Sequence, residues 1–563
     1  VIRRIYVVFQ DRNWTARPWV IEEEVVQEHN DSFTVSVLAR GTFDARDFTW
    51  HGSIHGYPDG RVDVRVRGAT ASEFWRNRLG LCILHPPQAS GDVAIVEHVD
   101  GSIEESAFPV TISPAQPFTQ MRALTHQLHP GLRSRIRMQG ETFESEDHRN
   151  WGDASFKHYC TPIRLPFPVQ VQVGQTIEQS VTLTIDGDLT ASDDPVHEQD
   201  EVLISIHGDD VGGERVALPE IGIQLDGDGH RLTTREQDLL RALRLTHVRV
   251  DLGPQDTPDV LRAYLQQADA IGAPVVVALN GADSDAFADF RHDSRIRHWL
   301  VFDPTSKVTD PAAVDRVAKA LGPQVGGGTN LYFTELNRGR PTGPHIITFS
   351  VNPQVHACDD QSVMQNAATL GTIARNARNL YPDAWLEISP ITLRPRFNPN
   401  ATAPELDHSN TNLPAFVDAR QCQPFAATWT VLALKAVAES GCIDAVTAYR
   451  ATGWEGLIER GEGSPQPADF PSLPGEPFEV YGVFRDLAEA HGVYRCVSSN
   501  PDRIDALALD SGLVLVANLT AEPAWALVEG RRVQVPPHGL VRVQRAHHDV
   551  DNRPSTTDCE PDP

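Results

Sequence analysis

His247-Val248-Arg249-Val250-Asp251, a helix-like stretch from Pro258 to Ile271, and then Pro274-Val275-Val276-Val277-Ala278-Leu279-Asn280 decide the fold of this chain. The second run is apolar as far as Leu279, without the alternation of a half-exposed strand, and the first sets Val248 and Val250 between polar residues. Both read as strands buried on two faces, and a helical crossover between two such strands makes them parallel neighbours. The same unit repeats outward. Upstream, Ile221-Gly222-Ile223-Gln224-Leu225-Asp226 is followed by helix-like Thr233 to Leu243. Downstream, the strand ending at Asn280 is followed by Ser284 to about Arg291, and then come Trp299 to Asp303 with a helix from Pro311 to Leu321, and Leu331 to Glu335 with a short connection that reads as helix-free. His345 to Asn352 precedes a long helix reaching Leu380, and Ala384 to Ser389 and Ile443 to Tyr449 flank a helix from Phe425 to Glu439. Eight such strands predict a (β/α)8 TIM barrel; a doubly wound sheet is disfavoured because no G-x-G-x-x-G turn follows the first strand.

The flanks read differently. Short alternating runs such as Phe33-Thr-Val-Ser-Val-Leu38 and Arg61-Val-Asp-Val-Arg-Val66 predict an N-terminal β-sandwich-like domain over 1–217. The barrel is expected over 218–460. A Gly/Pro-rich linker and a small C-terminal antiparallel β domain are expected over 461–546, and a disordered tail over 547–563. A net charge of -27 excludes a nucleic-acid partner and an anionic membrane surface. No apolar run has membrane-spanning length. Seven cysteines without a C-x-x-C pair fit neither a disulfide framework nor a thiolate zinc site, so a cytoplasmic location is expected.

The barrel reading places the ends of its strands, Asp226, Asp251, Asn280, Asp303, Glu335, Asn352, Glu387 and Tyr449, around the C-terminal mouth, where barrel chemistry is done. Glu335 and Glu387 are the expected catalytic pair, since two carboxylates across a mouth divide the general acid and general base tasks. Against this stands the possibility that each is spent on a mouth arginine such as Arg338 or Arg394. Between Phe143 and Tyr159 the chain crowds Asp147, Arg149, Asn150, Trp151 and Asp153 into one strand connection. They read as a polyol-binding loop, an indole face beside planar donors and acceptors, or more plainly as a solvated loop pinned by an Asp/Arg pair. Asn337, Arg338, His356 and Tyr449 complete the expected substrate-binding set. No H-x-H or H-E-x-x-H spacing is present, so the site is expected to be metal-free and to need no cofactor. A G-x-S-x-G elbow is absent, and Cys358 lies too close to His356 in one loop to face it. The expected partner is a small carbohydrate or sugar lactone; the oligomeric state is not legible. A TIM-barrel glycoside hydrolase using the same two glutamates is the alternative.

Three stretches resemble the D-apionate lactonase family: Phe143-Glu-x-Glu-Asp-x-Arg-Asn-Trp-x-Asp-Ala-Ser-Phe-Lys157, Gly328-Thr-Asn-Leu-Tyr-Phe-Thr-Glu-Leu-Asn-Arg-Gly-Arg-Pro341, and Phe349-Ser-Val-Asn-Pro-Gln-Val-His356. His148 and Gly152 stand where Gln and Thr are expected. The resemblance covers almost the whole chain and implies an N-terminal β domain, a central barrel and a C-terminal β domain. It also implies a hydrolase that opens the γ-lactone of the branched sugar acid apionate. On that chemistry Glu335 and Glu387 supply base and acid, and Asn337, Arg338 or His356 supplies the oxyanion donors. Arg149, Asn150, Trp151 and Asp153 hold hydroxyls.

Overall fold

The computed structural model describes every residue except 13, 15–18, 44–45, 188–200, 208–214, 398–412 and 546–563. The tail expected to be disordered lies outside the described residues. Eight parallel strands follow one another around the centre: Glu220–Gln224, His247–Leu252, Val275–Asn280, Ile296–Phe302, Val325–Tyr332, Ile346–Val351, Trp385–Ile391 and Ala445–Thr452. The first pairs with the eighth, Ile221 level with Val446, so the sheet closes into the expected barrel. The third strand shows why these runs do not alternate. Val275, Val277 and Leu279 join the large core beneath the helices, while Val276 and Ala278 form a second cluster with Leu300 and Phe302. Both faces of the strand are dry, so both must be apolar.

The fifth strand departs from expectation. It spans Val325–Tyr332 in place of the expected Leu331 to Glu335, and contains Gly326 to Gly328. Gly328 adopts φ +127°, and a Cβ there would lie 2.2 Å from the Thr348 carbonyl oxygen of the sixth strand. Glycine is therefore a packing requirement within the strand. The strand stops at Tyr332, and Phe333–Gly339 is an α-helix with Phe333 and Leu336 buried in the barrel core. Arg340, at φ +45°, ends it in the left-handed conformation. The predicted helix-free connection is thus corrected, and Glu335 sits in the first turn of a helix, where the macrodipole favours its charge.

The N-terminal region stacks a nine-stranded antiparallel sheet on a four-stranded one. Phe48, Trp50, Leu124 and Ile136 from the larger sheet meet Phe9, Leu79, Leu81 and Phe156 from the smaller in one core. This sandwich closes with the strand Thr176–Gly187, not at 217. Glu201–His207 pairs with Ala524–Val528 and Gly492–Ser498, and Val216–Ala217 pairs with Gly492–Ser498, so both strands belong to the C-terminal sheet. The barrel likewise runs past 460. In the helix Glu479–Leu487, Tyr481 and Phe484 are buried in the barrel core, and the Tyr481 hydroxyl donates to the Leu239 carbonyl at 2.9 Å. That helix closes the outer ring against the barrel's first helix. No helix among the described residues is long and apolar enough to cross a membrane, and the six cysteines described there are all unpaired.

Candidate active site

The two expected catalytic glutamates occupy different levels of the barrel. Glu387 is level with Thr348 on one side and Ala445, the first residue of the eighth strand, on the other; Ala445 is in turn level with Glu220, where the first strand begins. Glu387 therefore lies in the lowest layer of the interior, at the opposite end from the mouth. Its oxygens are taken by His298 Nε2 at 3.1 Å and by the Trp385 indole N–H at 2.9 Å. Burial favours the neutral acid, but His298, His247 and the Trp385 hydrogen bond outweigh it and hold the carboxyl at about 2. The mouth placement is thus corrected. The sequence reading ended the strand at Ser389 because a proline follows, yet the strand continues to Ile391. A carboxylate pair flanking one bond, as a glycosidase needs, is not assembled from Glu335 and Glu387.

Above Glu387 the interior is filled by a polar lattice. Arg249, fully buried, donates to Asp251 Oδ1 at 2.8 Å, to Asn330 Oδ1 at 2.9 Å and to the Ser389 carbonyl at 2.6 Å. Arg396 also donates to Asn330 Oδ1, and Asn330 donates to Asn280. Beside this lattice Asp226 accepts from Thr452 at 2.7 Å through one oxygen and leaves the other without a partner. Burial, against the pull of Thr452 and Arg460, lifts its carboxyl to about 6.

The N-terminal sandwich reaches the barrel through the strand Glu144–Asp147 and a single 3-10 turn, His148–Trp151. Asp147 starts the turn by accepting the Arg149 backbone N–H, and its carboxylate is gripped by the Arg149 guanidinium at 2.7 and 2.8 Å. Arg149 also donates to the Pro109 carbonyl and covers the Phe156 ring. Both side chains are buried and committed to shaping the loop, as the plainer reading of this pair has it. Asn150 and Asn337 are bound to each other at 2.9 Å and to the backbone of Ser113 and Ile112, so they strap the sandwich to the barrel. Tyr449 is buried, its hydroxyl on Thr430 of the outer helix Pro424–Ser440 at 2.8 Å, and burial raises its pKa. In these five expected substrate-binding residues the polar atoms are already met by protein partners.

The rest converge. Trp151 lies edge-on to Tyr332 and His356, with the Arg338 guanidinium 5.5 Å from its ring centre. Asp153 Oδ2 accepts from His356 Nδ1 at 2.6 Å. Glu335, nearly buried, pairs with Lys307 Nζ at 3.0 Å. Arg338, three residues on and half-exposed, lies 4.0 Å from Glu146. Sequence reasoning missed Glu146, His148, Lys307 and Tyr332. Glu146 and His148 were within the stretch singled out, two residues apart at a strand end; that period-two spacing was the available signal. Lys307 and Tyr332 carried none, because only the fold brings the loop after the fourth strand to Glu335.

His148 stacks on His356 with ring centres 4.2 Å apart. Its Nδ1 meets the Ser155 hydroxyl, while its buried Nε2 has no hydrogen-bond partner and lies 3.8 Å from Glu146 Oε2. Burial, reinforced by the charges of His356, Lys157 and Arg3, holds its pKa well below the usual imidazole value and keeps the ring neutral. Among the described residues, Glu146, His148 and His356 form the group of side chains able to hold a metal ion.

Two family descriptions match the chain: "D-apionate lactonase, N-terminal domain" over residues 1–188 and "D-apionate lactonase, TIM barrel domain" over 300–492. The D-apionate lactonase of Brucella anthropi is 29% identical, over 97% of this chain and 93% of its own length. Among solved structures, a GH30 endoxylanase from Clostridium papyrosolvens is similar at 9% identity and TM-score 0.37, over 61% of this chain and 97% of that one. A family 39 glycoside hydrolase from Bacteroides cellulosilyticus is similar at 10% identity and TM-score 0.34, over 84% and 96%.

Proposed function

This chain belongs to the D-apionate lactonase family, and from that premise we propose that it hydrolyses the γ-lactone of D-apionate at the junction between the sandwich loop and the barrel mouth. The observation that carries the placement is the meeting of separate stretches at one place. Trp151 and Asp153 come from the sandwich, and Tyr332, Arg338 and His356 from the ends of the fifth and sixth strands and the chain after them, with Glu335 three residues before Arg338 on the same short helix.

In the reaction the water oxygen bonds to the lactone carbonyl carbon, the acyl carbon to ring oxygen bond breaks, and the ring oxygen leaves as an alkoxide that takes a proton. Glu335 is the base that receives the water proton and returns it to the alkoxide, with Lys307 holding the carboxylate in place. Arg338 faces the oxygen that turns negative as water adds. Trp151 and Tyr332 present apolar ring surface to the C–H face of the sugar. The product carboxylic acid ionises near neutral pH, so each turnover releases one proton.

Proton release on adding D-apionolactone and a panel of aldonolactones, with aryl furanosides in parallel, tests this reading. The wild type opens a lactone and Glu335→Gln loses that activity while remaining folded. Undiminished opening in the variant would move the chemistry off Glu335, and aryl release with inert lactones would make the enzyme a glycosidase.

A further inference from the structure

Glu146, His148 and His356 offer one carboxylate oxygen and two imidazole nitrogens that lie within 4.8 Å of one another. Each imidazole is oriented from behind. Asp153 accepts the proton on His356 Nδ1, which leaves the Nε2 lone pair as its free donor atom in the neutral ring, and Asn366 steadies Asp153 from its other oxygen at 3.4 Å. Ser155 meets His148 Nδ1 and likewise leaves Nε2. A carboxylate or hydroxyl bound to the far nitrogen of an imidazole is the arrangement that fixes tautomer and ring direction around metal ions. Glu146 is oriented too: its Oε1 accepts the Trp151 indole N–H at 3.0 Å, and Oε2 remains on the side of His148.

The orphaned nitrogen gives the independent argument. His148 is 2% exposed, and a polar atom buried at that depth without a partner costs about 1 to 3 kcal/mol. Its neighbour 3.8 Å away is a carboxylate oxygen, too far for a hydrogen bond and spaced as two atoms sharing one cation are. The stacked imidazoles do not hydrogen-bond each other and gain nothing polar from their approach.

We propose that Glu146, His148 and His356 bind one divalent first-row transition-metal ion, of the Zn2+, Mn2+ or Fe2+ class, with positions left open on the side of Trp151 and Arg338. Two imidazoles and one carboxylate is a donor set these ions accept while retaining sites for water or substrate. The inference deepens the lactonase reading and rests on its location of the site: an ion there would polarise the lactone carbonyl and add to the charge of Arg338.

The test separates the two. The full chain, stripped with a chelator and dialysed into metal-free buffer, is titrated with Zn2+ and with Co2+, following heat and the visible Co2+ absorption, and lactone opening is measured on the same samples. One equivalent of metal should bind to the wild type. Glu146→Gln and His148→Gln should each lose binding by 100-fold or more, and Asp153→Asn, which acts through His356, should weaken it 10- to 100-fold. Absence of stoichiometric binding by the wild type overturns the metal site, as does unchanged binding in folded Glu146→Gln. Since Glu146→Gln keeps the Trp151 hydrogen bond, circular dichroism on it distinguishes lost ligation from lost folding. Metal binding with inert lactones defeats the lactonase reading alone; lactone opening by a wild type that binds no metal on titration defeats the metal site alone.

Discussion

Two clusters of histidine and glutamate sit at opposite ends of one barrel. At the bottom, Glu387 is closed in by His298 and the Trp385 indole, and nearby His247 is satisfied by Thr447. At the junction with the sandwich, Glu146 and His148 approach each other without bonding, and His148 Nε2 has no partner. The residue types are the same, so composition does not separate a structural cluster from a reactive one. What separates them is hydrogen-bond completion: a buried network with every atom satisfied fixes a fold, and one with an unsatisfied atom has capacity for a ligand.

Mutation at each end should break or sharpen that contrast. The largest effect falls at the mouth: Glu335→Gln should lower kcat/KM for lactone opening by about 10²- to 10⁴-fold, the usual contribution of a general base, with the denaturation midpoint nearly unchanged. At the bottom the pattern should invert. Glu387→Ala leaves the buried His298 and Trp385 indole without their hydrogen-bond partner and should cost about 1 to 3 kcal/mol in urea unfolding, while kcat of the folded fraction stays at the wild-type value. A fall in kcat there would return Glu387 to the chemistry.

The carboxylates at the two ends should also give stability profiles of opposite sign. Glu387, depressed in the fold to about 2 from 4.5, contributes stability above pH 4.5 that is lost as pH falls through 2. Asp226 is raised to about 6 from 3.8, so its contribution is full below 3.8 and is lost as pH rises through 6. Asp226→Asn should therefore gain on the wild type between pH 4 and 7, by on the order of 2 kcal/mol, read from urea midpoints across that range. An unchanged difference would mean that Asp226 titrates as an ordinary acid. Smallest is the strap between domains: Asn150→Ala removes a buried partner of Asn337 and should cost about 1 to 2 kcal/mol. Because the strap positions Trp151, KM should rise more than kcat falls.

Much of the molecule was legible beforehand, and the errors share a cause. The eight strands were found because burial on both faces writes continuous apolar runs, as at Val275 to Leu279. Gly326 to Gly328 and Ser389-Pro390 misled because Gly and Pro mark ends when read locally, whereas close packing against the sixth strand requires glycine inside the fifth. The domain boundaries failed where a strand, Glu201–His207, pairs with partners about 300 residues away; no local pattern carries that pairing. In the Phe143 to Tyr159 stretch the structure divides the residues between two tasks. Asp147, Arg149 and Asn150 build the loop, and Glu146, His148, Trp151 and Asp153 gather around His356.

By itself the sequence determined the barrel, the β domains on either side and the family, because periodicity and long motifs are properties of neighbours along the chain. Only the tertiary structure decided which glutamate is at the mouth and which at the floor, and that His148, Glu146 and His356 share one space. Those facts depend on strand register and on the docking of two domains, and both are set by packing between residues far apart in the chain.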